Sequence, residues 1–362
     1  MKSRISRRDF VRAAGTVSAL AAGGSFSVLL SACEGGSSAG PSKPVEKDVT
    51  KLYDAAKKDG SVTWWTAHYE QSAAEAMGAA FKKKYPGIEV NLLRQTAQVI
   101  NTRLQQDLKA GQNNCDVFCS TDEAHYPPLK KAGQLAQYTP PDLDLLPKDI
   151  QLLDPEHYWH LGAVGFVVIN YRSDKVTNPP RSWKDLLDPQ WSGKLTVGHP
   201  GFSGYVGNWV VAMIDKYGDQ YLRDLTKNKP KIGRSVNDTV TDIVSGERQV
   251  GAGPDNFSLA KKSQGNPIDI VFPSDDAILI AAPVGIMKNA PHANAARLFT
   301  NFMFSKEYST ALAATNNYPL RSDVPANGEP TLDKIKFYRN KIDRLTTGVP
   351  EAVAKWREIT GV

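Results

Sequence analysis

Of the chain's 362 residues, which carry a formal net charge of +6, the first 32 hold five bases (Lys2, Arg4, Arg7, Arg8 and Arg12) against one acid, Asp9. The remainder is left at +2, and its longest basic run is Lys82-Lys83-Lys84 at the polar end of an expected helix, so charge gives no support to a nucleic-acid partner. Globular patterning starts near Val49 and continues for about 310 residues, more than one hydrophobic core usually holds, which points to two lobes.

Taken in chain order, Ser6-Arg7-Arg8-Asp9-Phe10 precedes a mildly apolar stretch over residues 11–30 that ends in Leu30-Ser31-Ala32-Cys33. The arginine pair resembles a twin-arginine export signal, and Leu-Ser-Ala-Cys resembles a bacterial lipoprotein cleavage site, so Cys33 is the expected lipidated first residue of the mature protein. A membrane-spanning anchor is disfavoured because Gly15, Gly23, Gly24 and several serines interrupt the run. Residues 1–32 are read as this signal and residues 33–49, rich in Gly, Ser and Pro, as a tether. The expected location is the extracytoplasmic face of a bacterial membrane, lipid-anchored there but not spanning it.

Val62-Thr63-Trp64-Trp65-Thr66 reads as a strand, and Ala73, Met77, Ala80, Phe81 and Tyr85 repeat at helical spacing until Pro86-Gly87. Ile88 to Leu93 with a helix through Ile100, Leu104 and Leu108 repeats that unit, as does Asp116-Val117-Phe118 with a helix around Leu129. Three such units in succession imply a parallel sheet with right-handed crossovers. Cys115 and Cys119 share one face of the third strand but lie roughly 13 Å apart, too far to pair with each other, and are read as buried small hydrophobes. The largely apolar run Val164 to Tyr171 is suited to a strand passing between lobes. A second series follows: Lys194-Leu195-Thr196-Val197, a helix from Gly204 to Lys216, Lys231-Ile232-Gly233, a helix through Val240 and Ile243, and Val250-Gly251-Ala252-Gly253. The runs Ile268 to Val271 and Ala277 to Ile286 return the chain to the first lobe, and helices from Ala293 onward close it. The expected division is lobe 1 over residues 50–163, lobe 2 over 164–272, the return over 273–325 and C-terminal helices over 326–362.

Open α/β sheets bind ligands beyond the carboxyl ends of their strands. In the first lobe those positions carry Ala67-His68-Tyr69, Arg94-Gln95-Thr96 and Ser120-Thr121-Asp122. Each alone reads equally well as a solvated loop end, and it is their coincidence on one edge that carries the argument. In the second lobe, Gly198-His199-Pro200-Gly201-Phe202-Ser203-Gly204-Tyr205 leads from a strand into a helix, where free N–H groups and the helix dipole favour an anion. The alternative is a plain turn in which Ser203 caps the helix.

From about Lys51 to Asp323 the chain resembles the extracellular solute-binding proteins of ABC importers, in the group that includes periplasmic ferric-iron, phosphonate and sugar-phosphate binding proteins. The resemblance rests on the first strand with His68, Asp116-Val117-Phe118, Trp191-Ser192-Gly193-Lys194-Leu195, Gly201-Phe202-Ser203-Gly204, Ser245-Gly246-Glu247 before Val250-Gly251, Ala282-Pro283-Val284-Gly285-Ile286 and Tyr318-Pro319-Leu320-Arg321. It implies an α/β, two-lobed periplasmic-binding-protein fold of type II that closes on a ligand in the interlobe cleft. It further implies permease and ATPase subunits as partners. A monomer without cofactor or resident metal is expected.

Iron-binding members of that group hold ferric iron with two adjacent tyrosines where this chain has Asn256-Phe257, and amide plus phenyl groups suit that hard cation poorly. Thr121 stands where a carboxylate is expected, with Asp122 or Glu123 as substitutes. The favoured ligand is therefore an organic anion (a phosphonate, phosphate ester or carboxylate) held by Ser203, Gly204, Asn256, Asn237 and Arg94, with Trp65, Tyr69, His160 or Phe257 packed on its carbon frame; Tyr205, His68, Thr121 and Asp122 complete the candidate set. A ferric-iron or polyamine binder of the same fold is the alternative, with acids at Asp122, Glu123, Asp255, Asp275 and Asp276. A hydrolase is the remote one, since Gly-x-Ser-x-Gly spacing occurs at Gly36-Ser37-Ser38-Ala39-Gly40 in the tether and nowhere in the globular part, and the chain has no His-Glu-x-x-His or Gly-x-x-x-x-Gly-Lys-Ser/Thr motif.

Overall fold

The computed structural model describes residues 49–146, 154–328 and 330–362; the twin-arginine run, Cys33 and the tether lie outside the described residues. The first lobe opens with α1 (Val49–Asp59), β1 (Ser61–Thr66), α2 (Gln71–Lys84), β2 (Glu89–Arg94), α3 (Ala97–Lys109), β3 (Val117–Cys119) and the short α4 (Tyr126–Lys131). β-Branched and aromatic residues set β1, and α2 stops where Pro86-Gly87 removes a donor and takes a positive φ at Gly87. The long β4 (His160–Arg172) crosses to the second lobe, built from β5 (Leu195–Val197), α5 (Gly204–Tyr217), α6 (Asp219–Lys227), β6 (Lys231–Ile232), α7 (Asp238–Ser245), β7 (Val250–Pro254), α8 (Asp255–Ser263) and β8 (Ile268–Val271). The equally apolar β9 (Ala277–Ile286) returns to lobe 1, where α9 (Ala293–Met303) and α10 (Lys306–Ala314) follow. A short β10 (Phe337–Tyr338) and α11 (Ile342–Thr360) end the described chain. The tract after residue 326 thus holds a single α-helix, not several, and it packs against α5 and α6 of lobe 2.

The three βα units form the expected parallel part of a sheet that is mixed as a whole. β1 pairs in parallel with β2 (Ser61 opposite Glu89) and with β3 (Trp64 opposite Val117), but β9 lies antiparallel to β3 and to the first half of β4. In lobe 2, β5 is parallel to β6 and β7, and the second half of β4 runs antiparallel to both β7 and β8. Each lobe therefore has the same order, β2-β1-β3-β9-β4 in the first and β6-β5-β7-β4-β8 in the second, with one long antiparallel strand donated by the chain's passage between lobes. A core around Trp64, Phe81 and Phe299 fills lobe 1, and a separate core around Trp183, Trp209 and Trp356 fills lobe 2. Separate cores joined by two continuous strands let the lobes turn about the strands without unpacking either one. Cys115 and Cys119 are both free and buried in lobe 1. Among the described residues, no helix is long and apolar enough to cross a membrane.

Candidate functional site

The carboxyl ends of β1 and β3 face those of β5 and β7 across the seam between the lobes, and the lobes touch there. Gly204, at the start of α5, sits so close to Thr121 that a Cβ at Gly204 would stand 2.6 Å from the Thr121 carbonyl oxygen. Asn208, one turn on, donates to that same carbonyl at 3.4 Å, and the Gln98 amide of α3 donates to Phe202 O at 3.4 Å. At the rim, the Asn237 amide reaches from lobe 2 to Glu70 of lobe 1. Burial lifts the Glu70 carboxyl above its usual range, opposed by Arg94, Lys261 and Asn237. This is a cleft in its closed arrangement.

Deep in the seam, against the middle of β4, three side chains meet over Gly165. A point one Cβ bond from Gly165 lies 2.4 Å from the Tyr205 hydroxyl, 3.2 Å from His68 Cε1 and 3.4 Å from Asp255 Oδ1. His68 and Tyr205 share a hydrogen bond at 3.2 Å between Nδ1 and the hydroxyl, and Tyr69 meets the imidazole edge-on. Burial, helped by the Arg94 charge, pushes the His68 imidazolium down to about 3, so the ring is neutral at physiological pH. His68 Nε2 and Asp255 Oδ2 are buried with no hydrogen-bond partner. Toward the rim, a groove of about 390 Å³ runs between α2, α8 and the turn after α10, lined by Glu70, Asn256, Phe257, Lys261, Asn316 and Asn317.

Several sequence-derived candidates gather here: His68, Thr121, Gly204, Tyr205, Asn237, Asn256 and Phe257 line the closed seam or its groove, whereas Tyr69 turns into the lobe 1 core, where its hydroxyl meets Tyr308 and Gly162 O. Ser203 is the residue before α5, and its side chain makes no capping bond. Asn256 spends its amide on Asn317 Oδ1 at 2.9 Å, and Lys261 stands 5.3 Å over the Phe257 ring. Other candidates do not join the cluster. Trp65 points to the opposite face of β1 from Trp64, into a core with Ile100 and Leu104, with Arg103 stacked 5.1 Å over its ring. His160 begins β4, bonds Tyr138 O at 2.7 Å and meets Phe304 edge-on inside lobe 1. Asp122 accepts from the Gln98 side chain through Oδ2 and from the Ala124 amide through Oδ1, which makes it a local cap whose oxygens are already engaged. Arg94 is committed to Tyr69 O at 2.6 Å and to Glu70 at 3.6 Å, so it fixes the loop after β1.

Sequence reading passed over Glu70, Gly165 and Asn317 as site residues, quoted Tyr318 only for the family resemblance, and named Asp255 only as one acid among several. Gly165 carries no signal inside an apolar strand. Glu70 and Asp255 each adjoin a candidate, and that adjacency was the available clue. Among the described residues, no group of three or more His, Cys, Asp or Glu stands together to hold a metal ion.

With this geometry the chain can be set beside known proteins. A periplasmic protein of Salmonella typhimurium named for 2-aminoethylphosphonate binding is 24% identical over 207 residues, 52% of this chain and 61% of that protein's length. Iron uptake protein A1 of Synechocystis is 25% identical over 282 residues, 72% of this chain and 76% of that protein. The periplasmic binding protein AfuA of Actinobacillus pleuropneumoniae, solved with fructose-6-phosphate, superposes with a TM-score of 0.74 at 19% identity, covering 84% of this chain and 99% of that one. That superposition establishes the type II periplasmic-binding-protein fold. Residues 112–346 match the family described as bacterial extracellular solute-binding protein, and the shared order of strands in both lobes, the two crossing strands and the polar seam between them agree with the match: the chain belongs to that family.

Proposed function

We propose that the protein is the solute-capturing component of an ABC importer, closing its lobes on a small organic anion such as a phosphonate, phosphate ester or carboxylate. The observation that carries this reading is the meeting of the uncapped start of α5, with Ser203 and Gly204, against Thr121 of the other lobe. A 14-residue helix presents free N–H groups and the positive end of its dipole there, in a seam that closure removes from water. Binding, not catalysis, is what the relatives of this family do, which supports the same reading. An iron-binding reading draws on the Synechocystis relative, but the donor set here, an amide at Asn256 and a phenyl at Phe257, suits an organic solute better.

A thermal-shift screen over phosphonates, phosphate esters, carboxylates, polyamines and ferric citrate tests the proposal. At about 100 times its dissociation constant, the right solute should stabilise the protein by about 2.7 kcal/mol. An organic anion should give the largest rise, and ferric citrate no more than citrate alone, with no visible absorption band. A tight, coloured, iron-specific stabilisation would overturn the organic-anion reading.

Export by the twin-arginine route and lipidation at Cys33 belong to the same proposal, since a solute-capturing protein must work outside the cytoplasm and near its permease. Replacing the pair, Arg7→Lys with Arg8→Lys, should leave precursor in the cytoplasm, and Cys33→Ser should yield a product that no longer partitions with membranes. Unchanged export of the double variant would remove the twin-arginine assignment.

A further inference from the structure

Two buried amides beside the seam have no part in holding a solute at the start of α5. Asn208, one turn into that helix, is 3% exposed, and Asn340, between β10 and α11, is 1% exposed. A side-chain amide in the interior costs free energy unless it finds hydrogen-bond partners, so the direction in which each points is informative. Asn208 Nδ2 donates to Gly204 O at 2.9 Å within α5 and to Thr121 O at 3.4 Å in the other lobe. Asn340 Nδ2 donates in turn to Asn208 O at 2.9 Å and to Asn208 Oδ1 at 3.4 Å. The three residues form a file from Asn340 through Asn208 to Thr121, which ends on the carbonyl that Gly204 packs against. Asn340 belongs to lobe 2, because the helix it precedes packs on α5 and α6. The strand it follows pairs with β9, one of the two strands that join the lobes.

We infer that Asn340 is a positioning residue for lobe closure, setting which end of the Asn208 amide faces the other lobe. This rests on hinged closure and not on which solute is captured, so it is independent of the anion reading. The oxygen and nitrogen of an asparagine amide are nearly equal in size, and a half-turn about the last side-chain bond exchanges them. With Oδ1 held by the Asn340 donor, Nδ2 is left to face Gly204 O and Thr121 O, both of them acceptors. The reversed amide would set an acceptor against two carbonyl oxygens and a donor against the donor of Asn340. Contacts on both sides therefore reject it. Thr121 gains this donor only while the lobes are together; when they part, its carbonyl turns to water and Asn208 keeps Gly204 O, so the amide stays aimed at the seam. Both groups are neutral, and no charge has to be stripped of water each time the lobes meet.

Pulsed electron spin resonance reads closure directly, with spin labels at Lys83→Cys on α2 of lobe 1 and Lys227→Cys on α6 of lobe 2, both exposed positions. Cys33→Ser removes the remaining accessible thiol, since Cys115 and Cys119 are buried. Without added solute, the parent should show a short-distance population for the closed seam. Asn340→Asp replaces the donor with carboxylate oxygens that draw Asn208 Nδ2 away from Thr121, and should lower the closed-to-open ratio by about 5-fold to 10-fold, the scale of one hydrogen bond lost across the seam. Asn208→Ala should lower it by a similar factor. Because Asn340 acts through Asn208, adding Asn340→Asp to Asn208→Ala should lower the ratio no further, whereas a merely structural role makes the two losses additive. Circular dichroism and thermal midpoints report whether each variant is folded. If Asn340→Asp does not fold, Asn340→Ala carries the same test with a smaller expected fall, about 3-fold. An unchanged ratio, or additive losses in the double variant, would overturn the inference. A parent with no closed population would overturn it too, while leaving standing the capture reading, which needs closure only when solute is present.

Discussion

Gly204→Ala should weaken solute binding by about 100-fold, by preventing the lobes from closing. The added Cβ would lie 2.6 Å from the Thr121 carbonyl oxygen and 2.7 Å from its Oγ1. The nearest of these is a backbone atom that cannot swing away. Relief requires the lobes to move apart, and because their cores are separate they can do so without unfolding. Raising the closed state by roughly 3 kcal/mol relative to the open one reduces the binding-competent fraction about 100-fold, and the apparent dissociation constant rises by the same factor. The thermal midpoint of the ligand-free protein should change little, because alanine is tolerated at a helix start. Small-angle scattering should show a larger radius of gyration for the variant than for the parent in matched buffer. Sequence reasoning would choose Gly204→Asp here, on the ground that a like charge repels an anion. The contact with Thr121 predicts that bulk alone suffices, so Ala and Asp should act alike. A Gly204→Ala protein that closes and binds like its parent would show that the seam between α5 and Thr121 is not the solute site.

The second large effect concerns stability. Glu123, just after β3, is 3% exposed and faces Arg339 at 3.6 Å, a distance suited to an ion pair and too long for a hydrogen bond. Burial pushes its carboxyl from 4.5 up to about 7, with the Arg339 charge pulling the other way. Between these two values the folded chain keeps a proton that the unfolded chain has released, so this residue makes stability fall as pH rises through the window. At about 1.4 kcal/mol per pKa unit, the penalty above pH 7 is on the order of 3 kcal/mol. Glu123→Gln should remove it: near-equal stability to the parent at pH 4.5, and a gain of about 2 kcal/mol at pH 8 once the loss of the Arg339 contact is allowed for. Urea denaturation of both proteins across that range measures the difference directly, and because Asp255 titrates in both, its share cancels. Parallel stability curves for parent and variant would mean that Glu123 is ionised in the folded protein throughout.

Local pattern in the sequence was enough to place most of the elements that build the lobes. Val62 to Thr66 announces β1 because β-branched and aromatic side chains fit a pleated surface, and Pro86-Gly87 announces the end of α2 because it denies the helix a donor. The turn from β5 into α5 was legible as glycines and a serine before an apolar helix. The order of these signals along the chain was also enough to indicate the family, which the match over residues 112–346 establishes. What local pattern does not encode is partnership. An apolar run such as Ala277 to Ile286 reads the same whether its neighbour is parallel or antiparallel, so the mixed sheet appears only once β9 is laid between β3 and β4. Trp64 and Trp65 look equivalent in sequence, yet successive strand residues face opposite sides, and tertiary packing assigns them to different cores. Asp255 gains its meaning from Phe166, 89 residues earlier, and from Tyr205 and His68. Burial strips water from a carboxylate only when distant segments converge on it, so such a residue's chemistry is set by contacts far apart in the chain and is not legible from its neighbours in sequence.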